Sequence, residues 1–180
     1  MNKFRISPIL HSYRSKKLST DKSIIACEIG VADGAHAIEM LNFKQKFGSE
    51  IKKLYLVDPW DYRSDCLFPN HQYSHKKNYE RVLKLKKKYP QIEIIKDKSI
   101  NASKKFKNNY FDFIYIDGNH NFKNVYQDLK SWYPKLKKNG LMAGDDFAPY
   151  FPDVIKAVTK FAFEKKIFLF EYRNQFWFQK

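Results

Sequence analysis

Four side chains able to bind a metal ion or move a proton lie close together in the second half of the sequence. Asp117 and His120 follow one apolar segment, and Asp145 and Asp146 follow the next. Carboxylate oxygens suit a hard divalent cation such as Mg²⁺, and an imidazole can accept a proton near neutral pH. If the two segments are neighbouring parallel strands, these groups converge at one edge of a sheet. Taken alone, Asp117-Gly118 or Asp145-Asp146 could instead be a plain turn at the end of a strand.

The segments that must position these residues alternate between strand-like and helix-like patterns. Continuous apolar runs closed by Gly, Pro or Asp are typical of buried parallel strands. They predict strands at 23–30, 53–60, 92–97, 111–117 and 141–146. The segment 167–180 predicts two more strands, with a hairpin turn at Arg173-Asn174.

Helices are predicted between these strands. A first helix runs through Ala37, Met40 and Leu41 and on through Phe47, to an end at Gly48. Helical spacing of apolar residues predicts the others at 75–89, 100–107, 121–137 and 152–165. Pro134 should shorten or kink its helix, and Asn139-Gly140 should serve the end of it.

This alternation predicts an α/β fold that is Rossmann-like. We expect a doubly wound, mostly parallel, seven-stranded sheet with helices on both faces and an antiparallel C-terminal hairpin strand. A single domain would span 23–180, after an N-terminal arm at 1–22. Ligands of such folds bind beyond the carboxyl ends of the strands. Acidic residues occupy five of those predicted ends: Glu28, Asp58, Asp97, Asp117 and Asp145-Asp146.

The strongly basic composition bears on the partner. The sequence has 34 Lys and Arg against 19 Asp and Glu, a net charge of +15. Few of the basic residues are Arg, the side chain that base-edge and bidentate phosphate recognition favours. We therefore rank nucleic acid below a small acceptor as the partner. A non-catalytic cofactor- or nucleic-acid-binding module with a basic surface is the alternative.

Composition also indicates a compartment. No apolar run approaches the ~20 residues of a membrane helix, so we expect no membrane partner. The N-terminal residues show no apolar core of an export signal, and Cys27 and Cys66 are far apart. These features predict a cytoplasmic protein without disulfides.

His71 and His75 could share a helix face as zinc ligands, but no third ligand is evident.

Small residues follow the first predicted strand in the order Glu28-Ile29-Gly30-Val31-Ala32-Asp33-Gly34. Glycines at 30 and 34 let the backbone approach a ligand. Alanines occupy 32 and 35, where a dinucleotide fingerprint has glycine, so the loop is a poor pyrophosphate cradle. With Asp58 after the second strand, it suits an adenosine ligand without phosphates. Asp58 could instead belong to a strand-stop turn, and His36 is assigned to the first helical turn, with cofactor contact as the lesser alternative.

The chain resembles class I S-adenosylmethionine-dependent methyltransferases. CEIGVADGAHA (27–37) resembles the first motif of that family, and LYLVDPW (54–60) resembles the second. The segment 116–147, from IDGNH to GDDF, is similar to the metal-dependent, macrocin O-methyltransferase-like group, which acts on sugars and related natural products. The resemblance covers about 23–180. It implies an O-methyltransferase that acts on a hydroxyl of a small acceptor, a sugar or glycoside.

The resemblance also implies residue roles. Glu28, Gly30 and Gly34 would line the methionine end of S-adenosylmethionine, Asp58 would bind its ribose, and Asp97, Ser99 and Asp117 would complete the cofactor site. Asp117, Asp145 and Asp146 would hold Mg²⁺ or a similar divalent cation. His120 would be the general base, with Asp117 as the second catalytic residue. The loop 60–74 and the arm would shape the acceptor site or contact a second copy in a homo-oligomer. An RNA methyltransferase ranks lower, because no Asn-Pro-Pro-Tyr-type motif is present.

Overall fold

A computed structural model describes residues 23–42, 50–61 and 75–180 of the chain. In these ranges seven strands form one sheet in the order β3-β2-β1-β4-β5-β7-β6. Strands β1 to β5 are parallel, and β7 is antiparallel to both β5 and β6. The predicted fold class is therefore confirmed. The strands are β1 (Ser23–Ile29), β2 (Glu50–Asp58), β3 (Ile92–Lys96), β4 (Phe111–Ile116), β5 (Leu136–Gly144), β6 (Phe170–Tyr172) and β7 (Gln175–Gln179).

Five helices of the described ranges cover the two faces of this sheet. They are α1 (Ala35–Leu41), α2 (His75–Lys88), α3 (Ser99–Ser103), α4 (Phe122–Trp132) and α5 (Pro152–Lys165). Buried residues of α1 and α2 share one apolar core with the sheet, and those of α3, α4 and α5 share the other. None of these helices is long and apolar enough to span a membrane.

Several predicted features lie outside the described residues. These are the arm 1–22, the first helix beyond residue 42 with its end at Gly48, and most of the loop 60–74, including Cys66 and His71.

Helix α4 is shorter than the predicted helix 121–137. It ends at Trp132, and a 3₁₀ turn over Tyr133–Lys135 follows. Pro134 has no backbone N–H to donate, and its ring crowds the preceding turn, so it ends the helix as the sequence predicts. The predicted boundary itself is wrong, because β5 already begins at Leu136.

An irregular segment opens β5. Its register against β4 passes from Phe111↔Leu136 to Phe113↔Leu141, so β5 carries extra residues there. Asn139 lies in this segment with a left-handed φ of 65°. Asn139 therefore shapes a bulge in a strand, and the prediction that Asn139-Gly140 serves a helix end is wrong.

The C-terminal hairpin reaches the carboxyl end of β5. Arg173 and Asn174 both have positive φ, 50° and 65°, which matches the right-handed twist of a tight hairpin. The Asn174 carbonyl accepts a hydrogen bond from the Phe147 N–H at 2.8 Å. The predicted turn is confirmed, and it fixes the loop that follows Asp146.

Candidate functional site

The loops after β1 and β4 meet at the point where the chain order in the sheet reverses. The Asp117 N–H donates to Ile29 O at 2.7 Å, and the Gly30 N–H donates to Val57 O at 2.9 Å. Gly30 has φ +82°, and a Cβ on it would lie 2.0 Å from Asp117 O. Only glycine fits this contact. In such folds this crevice is where ligands bind.

Asp58 joins the first loop to the end of β2. Its Oδ2 accepts hydrogen bonds from the N–H groups of Val31 at 2.9 Å and Ala32 at 3.2 Å, and its Oδ1 accepts from the Trp60 N–H at 2.7 Å. Two successive N–H groups form a small anion-binding concavity, which the carboxylate fills. The Trp60 indole N–H returns a bond to Ala32 O at 2.8 Å. Asp58 therefore shapes the loop, and its predicted contact with ribose stays a prediction.

Gly34 has a packing reason to be glycine. Its φ is +82°, and a Cβ there would lie 2.6 Å from Leu85 Cδ1 on α2. The missing side chain lets the start of α1 approach α2 closely. Its role in cofactor binding stays a prediction.

A buried polar group lies beneath this loop. Glu28 on β1 and His36 on α1 are 1% and 2% exposed, and Glu28 Oε1 lies 3.2 Å from His36 Nδ1. The His36 ring packs on Tyr115 of β4 with centroids 4.0 Å apart. The Tyr115 hydroxyl accepts from Gln175 Nε2 at 2.7 Å. The sequence places His36 correctly in the first turn, but it does not reveal this network.

Asp97 and Ser99 follow β3, as predicted, and neighbouring side chains hold both. The Lys105 ammonium lies 2.9 Å from Asp97 Oδ2 and lowers the pKa of that carboxyl group. The Ser99 hydroxyl donates to Asp128 Oδ1 at 2.5 Å and accepts from Trp132 Nε1 at 2.8 Å. Ser99 thus ties α3 to α4, and the contacts of both residues with the cofactor stay predictions.

Three side chains converge at the adjacent ends of β4 and β5. One ligand atom each from Asp117, His120 and Asp146 lies within 4.8 Å of the other two. His120 Nε2 is 2.6 Å from Asp146 Oδ2, and the two side chains are 24% and 26% exposed. The sequence prediction that the two strand ends meet is confirmed. Among the described residues this is the only such cluster of three His, Cys, Asp or Glu groups.

The cluster differs in one member from the predicted ligand set. Asp145 is absent from it, and Asp145 Oδ1 accepts a hydrogen bond from the Asp146 N–H at 3.0 Å. Asp146 has a left-handed φ of 59°, a strained backbone that functional sites often contain. His120, which the sequence analysis assigns as the general base, is the third member of the cluster. The role of Asp145 as a metal ligand stays a prediction.

Side chains that the sequence analysis missed hold His120 in place. The Phe151 ring stacks on the imidazole with centroids 4.4 Å apart and planes 17° apart. Asn119 Oδ1 accepts from the Asn121 N–H at 2.8 Å, and Asp153 Oδ2 accepts from the Phe122 N–H at 3.1 Å. The spacing of Asn119 and Asn121 in the sequence is typical of a local turn and indicates the hydrogen bond between them. No sequence signal links Phe151 with His120.

The donor atoms of this cluster fit a divalent cation. Two carboxylates suit Mg²⁺ or Mn²⁺, and an imidazole extends the range to Fe²⁺ or Zn²⁺. All three donors lie at one edge of the sheet and are partly exposed, so an ion can reach them. The same groups can also move a proton.

Among solved structures that share this fold, the O-methyltransferase NovP matches with a TM-score of 0.67 and 17% identity, over 96% of this chain and 79% of that one. SMU.1697c from Streptococcus mutans, in complex with SAH, gives 0.63 and 16%, over 100% and 99% of the two chains. An rRNA methylase from Streptococcus thermophilus gives 0.62 and 14%, over 100% and 98%. Likeness at these identities shows the fold and leaves the substrate open.

The strand order and the antiparallel hairpin define an α/β methyltransferase fold. Residues 27–147 match the family model described as Methyltransferase domain, and the chain belongs to that family. Comparison with curated proteins finds no match.

Proposed function

We propose that this protein is an S-adenosylmethionine-dependent, divalent-metal-assisted O-methyltransferase. Its acceptor would be a hydroxyl of a small molecule, a saccharide, as in the macrocin O-methyltransferase-like group that the sequence resembles. The observation that carries the proposal is the cluster of Asp117, His120 and Asp146 beside the Gly30 loop.

The place of the cofactor follows from the fold. The crevice between the loops after β1 and β4 is the ligand site of such sheets. Glu28, Gly30 and Gly34 would surround the methionine end, and residues at the ends of β2 and β3 would face the nucleoside. The SAH complex of SMU.1697c, a protein with the same fold, supports this cofactor class.

The chemistry follows from the cluster. A bound divalent cation would lower the pKa of an acceptor hydroxyl and fix its position. Asp117 and Asp146 would hold the cation, and His120 would take the proton from the hydroxyl. Phe151 holds the imidazole plane, and the Asp146 carboxylate can stabilise the positive charge on His120 after proton transfer. Alignment of acceptor and methyl group can supply up to ~7–11 kcal/mol of the barrier.

Two measurements, made one after the other, test the proposal. S-adenosylhomocysteine should raise the unfolding temperature, because a ligand that binds only the folded state stabilises it. With Mg²⁺ and a panel of methyl pyranosides, methyl transfer from labelled S-adenosylmethionine should appear in at least one product. Excess chelator should stop the reaction, and added Mg²⁺ should restore it.

The outcomes separate the parts of the proposal. Full activity in excess chelator would show that the reaction needs no metal ion. If S-adenosylhomocysteine does not stabilise the protein, the proposed cofactor is wrong.

The net charge of +15 favours RNA as the second candidate acceptor. Methylation of RNA but of no pyranoside, with RNA affinity that falls steeply with salt, would replace the saccharide.

A further inference from the structure

Tyr150 is a large aromatic side chain that the fold leaves exposed close to the cluster around His120. Its exposed fraction is 61%. Its ring contacts the Phe151 ring with centroids 4.9 Å apart and planes at 63°, and the Phe151 ring stacks in turn on His120 with centroids 4.4 Å apart. Two ring contacts therefore connect the proposed general base with an aromatic surface that is open to solvent.

The C-terminal hairpin holds the loop that carries Tyr150. Asn174 in the hairpin turn contacts this loop twice. Its carbonyl accepts a hydrogen bond from the Phe147 N–H at 2.8 Å, and its side-chain Nδ2 donates to the Tyr150 hydroxyl oxygen at 2.8 Å. Within the loop, the Phe151 N–H donates to Ala148 O at 2.8 Å. Both the backbone around Tyr150 and the end of its side chain are thus tied, so the exposed ring has a defined position.

The stability of the fold does not explain why this ring is held in place. A side chain that remains largely exposed gains little from burial, and holding it in one position costs conformational entropy. A ring that is already ordered lowers the entropy cost of binding a ligand. Ligand sites are commonly lined by aromatic side chains beside a few polar groups. An ordered, exposed ring next to a candidate catalytic cluster is therefore typical of a surface that binds a ligand.

The chemistry of the aromatic face indicates what the ring of Tyr150 would bind. Its π-electrons make the face of the ring negative. The C–H bonds on one side of a pyranose ring present a flat apolar surface, and their hydrogens carry a small positive charge. A pyranose can therefore stack on the tyrosine ring while its hydroxyl groups extend sideways, with one of them within reach of the neighbouring catalytic groups.

We propose that Tyr150 is the residue on which the ring of a saccharide acceptor stacks, so that it helps to determine the specificity of the enzyme. The inference rests on the function proposed above and adds the side chain that binds the acceptor. Tyr150 takes no part in the transfer of the methyl group itself. Its removal should therefore weaken acceptor binding and leave the cofactor, the metal ion and the chemical step unchanged.

Steady-state kinetics with the methyl pyranoside that the enzyme converts best test this role. Tyr150→Ala should raise the KM for the pyranoside about 10-fold and leave kcat within about two-fold, because it removes binding that the ground state and the transition state share. The affinities for S-adenosylhomocysteine and Mn²⁺ should not change. Phe168→Ala is the matched control, because it removes an aromatic ring that is 86% exposed and lies between α5 and β6. It should leave KM and kcat unchanged.

A second pair of variants tests the contact between Tyr150 and Asn174. Tyr150→Phe removes the hydroxyl group, whereas Asn174→Gly removes the amide but suits the left-handed φ of 65° and keeps the backbone carbonyl. Both variants remove the same hydrogen bond. Each should raise the KM for the pyranoside about two- to five-fold, and the double variant should match the single ones.

The outcomes keep two failures apart. If the wild-type protein methylates no pyranoside, the proposed function fails and the role of Tyr150 fails with it. If the wild type is active and Tyr150→Ala leaves KM unchanged, only the role of Tyr150 is overturned. A fall in kcat together with Mn²⁺ affinity would mean that Tyr150 only supports the loop, and would also overturn its role. Circular dichroism shows whether each variant folds. Should Tyr150→Ala not fold, the KM values of Tyr150→Phe and Asn174→Gly decide.

Discussion

His120 Nε2 lies 2.6 Å from Asp146 Oδ2, although 26 positions separate the two residues in the chain. The parallel pairing of β4 and β5 brings their ends together and makes this contact. The first prediction follows from it. Asp146→Asn removes a negative ligand and the partner of the imidazole, so methyl transfer should fall at least about 100-fold. Asn tolerates the left-handed φ of 59° at this position, so the fold should persist.

The readouts for this variant are the rate of methyl transfer, the affinity for S-adenosylhomocysteine and the affinity for Mn²⁺ by electron paramagnetic resonance. Nucleoside affinity should stay within about two-fold, and Mn²⁺ affinity should drop. Asp145→Asn is the matched control, because Asp145 lies outside the cluster. An equal loss of Mn²⁺ affinity in both variants would support the predicted role of Asp145 as a metal ligand, and an unchanged transfer rate in Asp146→Asn would contradict the site.

Gly30→Ala should destabilise the protein severely. The new Cβ would lie 2.0 Å from Asp117 O, a backbone atom that cannot turn away, and the φ of +82° disfavours alanine. We expect a loss of about 3 kcal/mol or more in the free energy of unfolding, measured by urea denaturation.

Gly118→Ala is the control for this prediction, since the atom nearest to its new Cβ would be Asp128 Oδ2 at 3.6 Å, an ordinary contact. It should cost no more than about 1 kcal/mol. Similar costs for the two variants would mean that the loops after β1 and β4 do not meet as described.

Asp58→Asn should loosen the first loop. The amide cannot accept all three N–H groups that the carboxylate accepts from Val31, Ala32 and Trp60. We expect the free energy of unfolding to fall by about 1–3 kcal/mol, and nucleoside affinity to fall with it. Glu80→Gln, on the exposed side of α2, should change stability by less than about 0.5 kcal/mol. A stable Asp58→Asn variant would show that these hydrogen bonds do not hold the loop.

Cys27 should be inert in the folded protein. Burial, and secondarily the Glu28 carboxylate, raises the pKa of the Cys27 thiol well above its ordinary value, so less thiolate exists at any pH near neutrality. In a Cys66→Ser background, where Cys27 is the only cysteine, reaction with a disulfide reagent should be at least about 100-fold slower in native buffer than in denaturant. Equal rates in the two conditions would contradict the buried position of β1.

Local patterns in the sequence predict most of the elements. Continuous apolar runs mark β1 and β4, and Pro134 marks the end of α4, because a proline lacks the N–H that the next helical bond needs. The start of β5 at Leu136 escapes such patterns. Lys137 and Asn139 interrupt the apolar run there, and they are accommodated by contacts with Asp112 and with Lys180 O, which are distant in the chain.

The sequence by itself determined the order of strands and helices. That order also determined the edge of the sheet at which Asp117 and Asp146 lie. Periodicity and turn chemistry are local, so they can be read from neighbouring residues. Only the tertiary structure decided that His120, not Asp145, joins these two carboxylates, that Phe151 holds the imidazole, and that Glu28 pairs with His36. Those choices depend on backbone angles within loops and on contacts between separate elements, and a one-dimensional pattern contains neither.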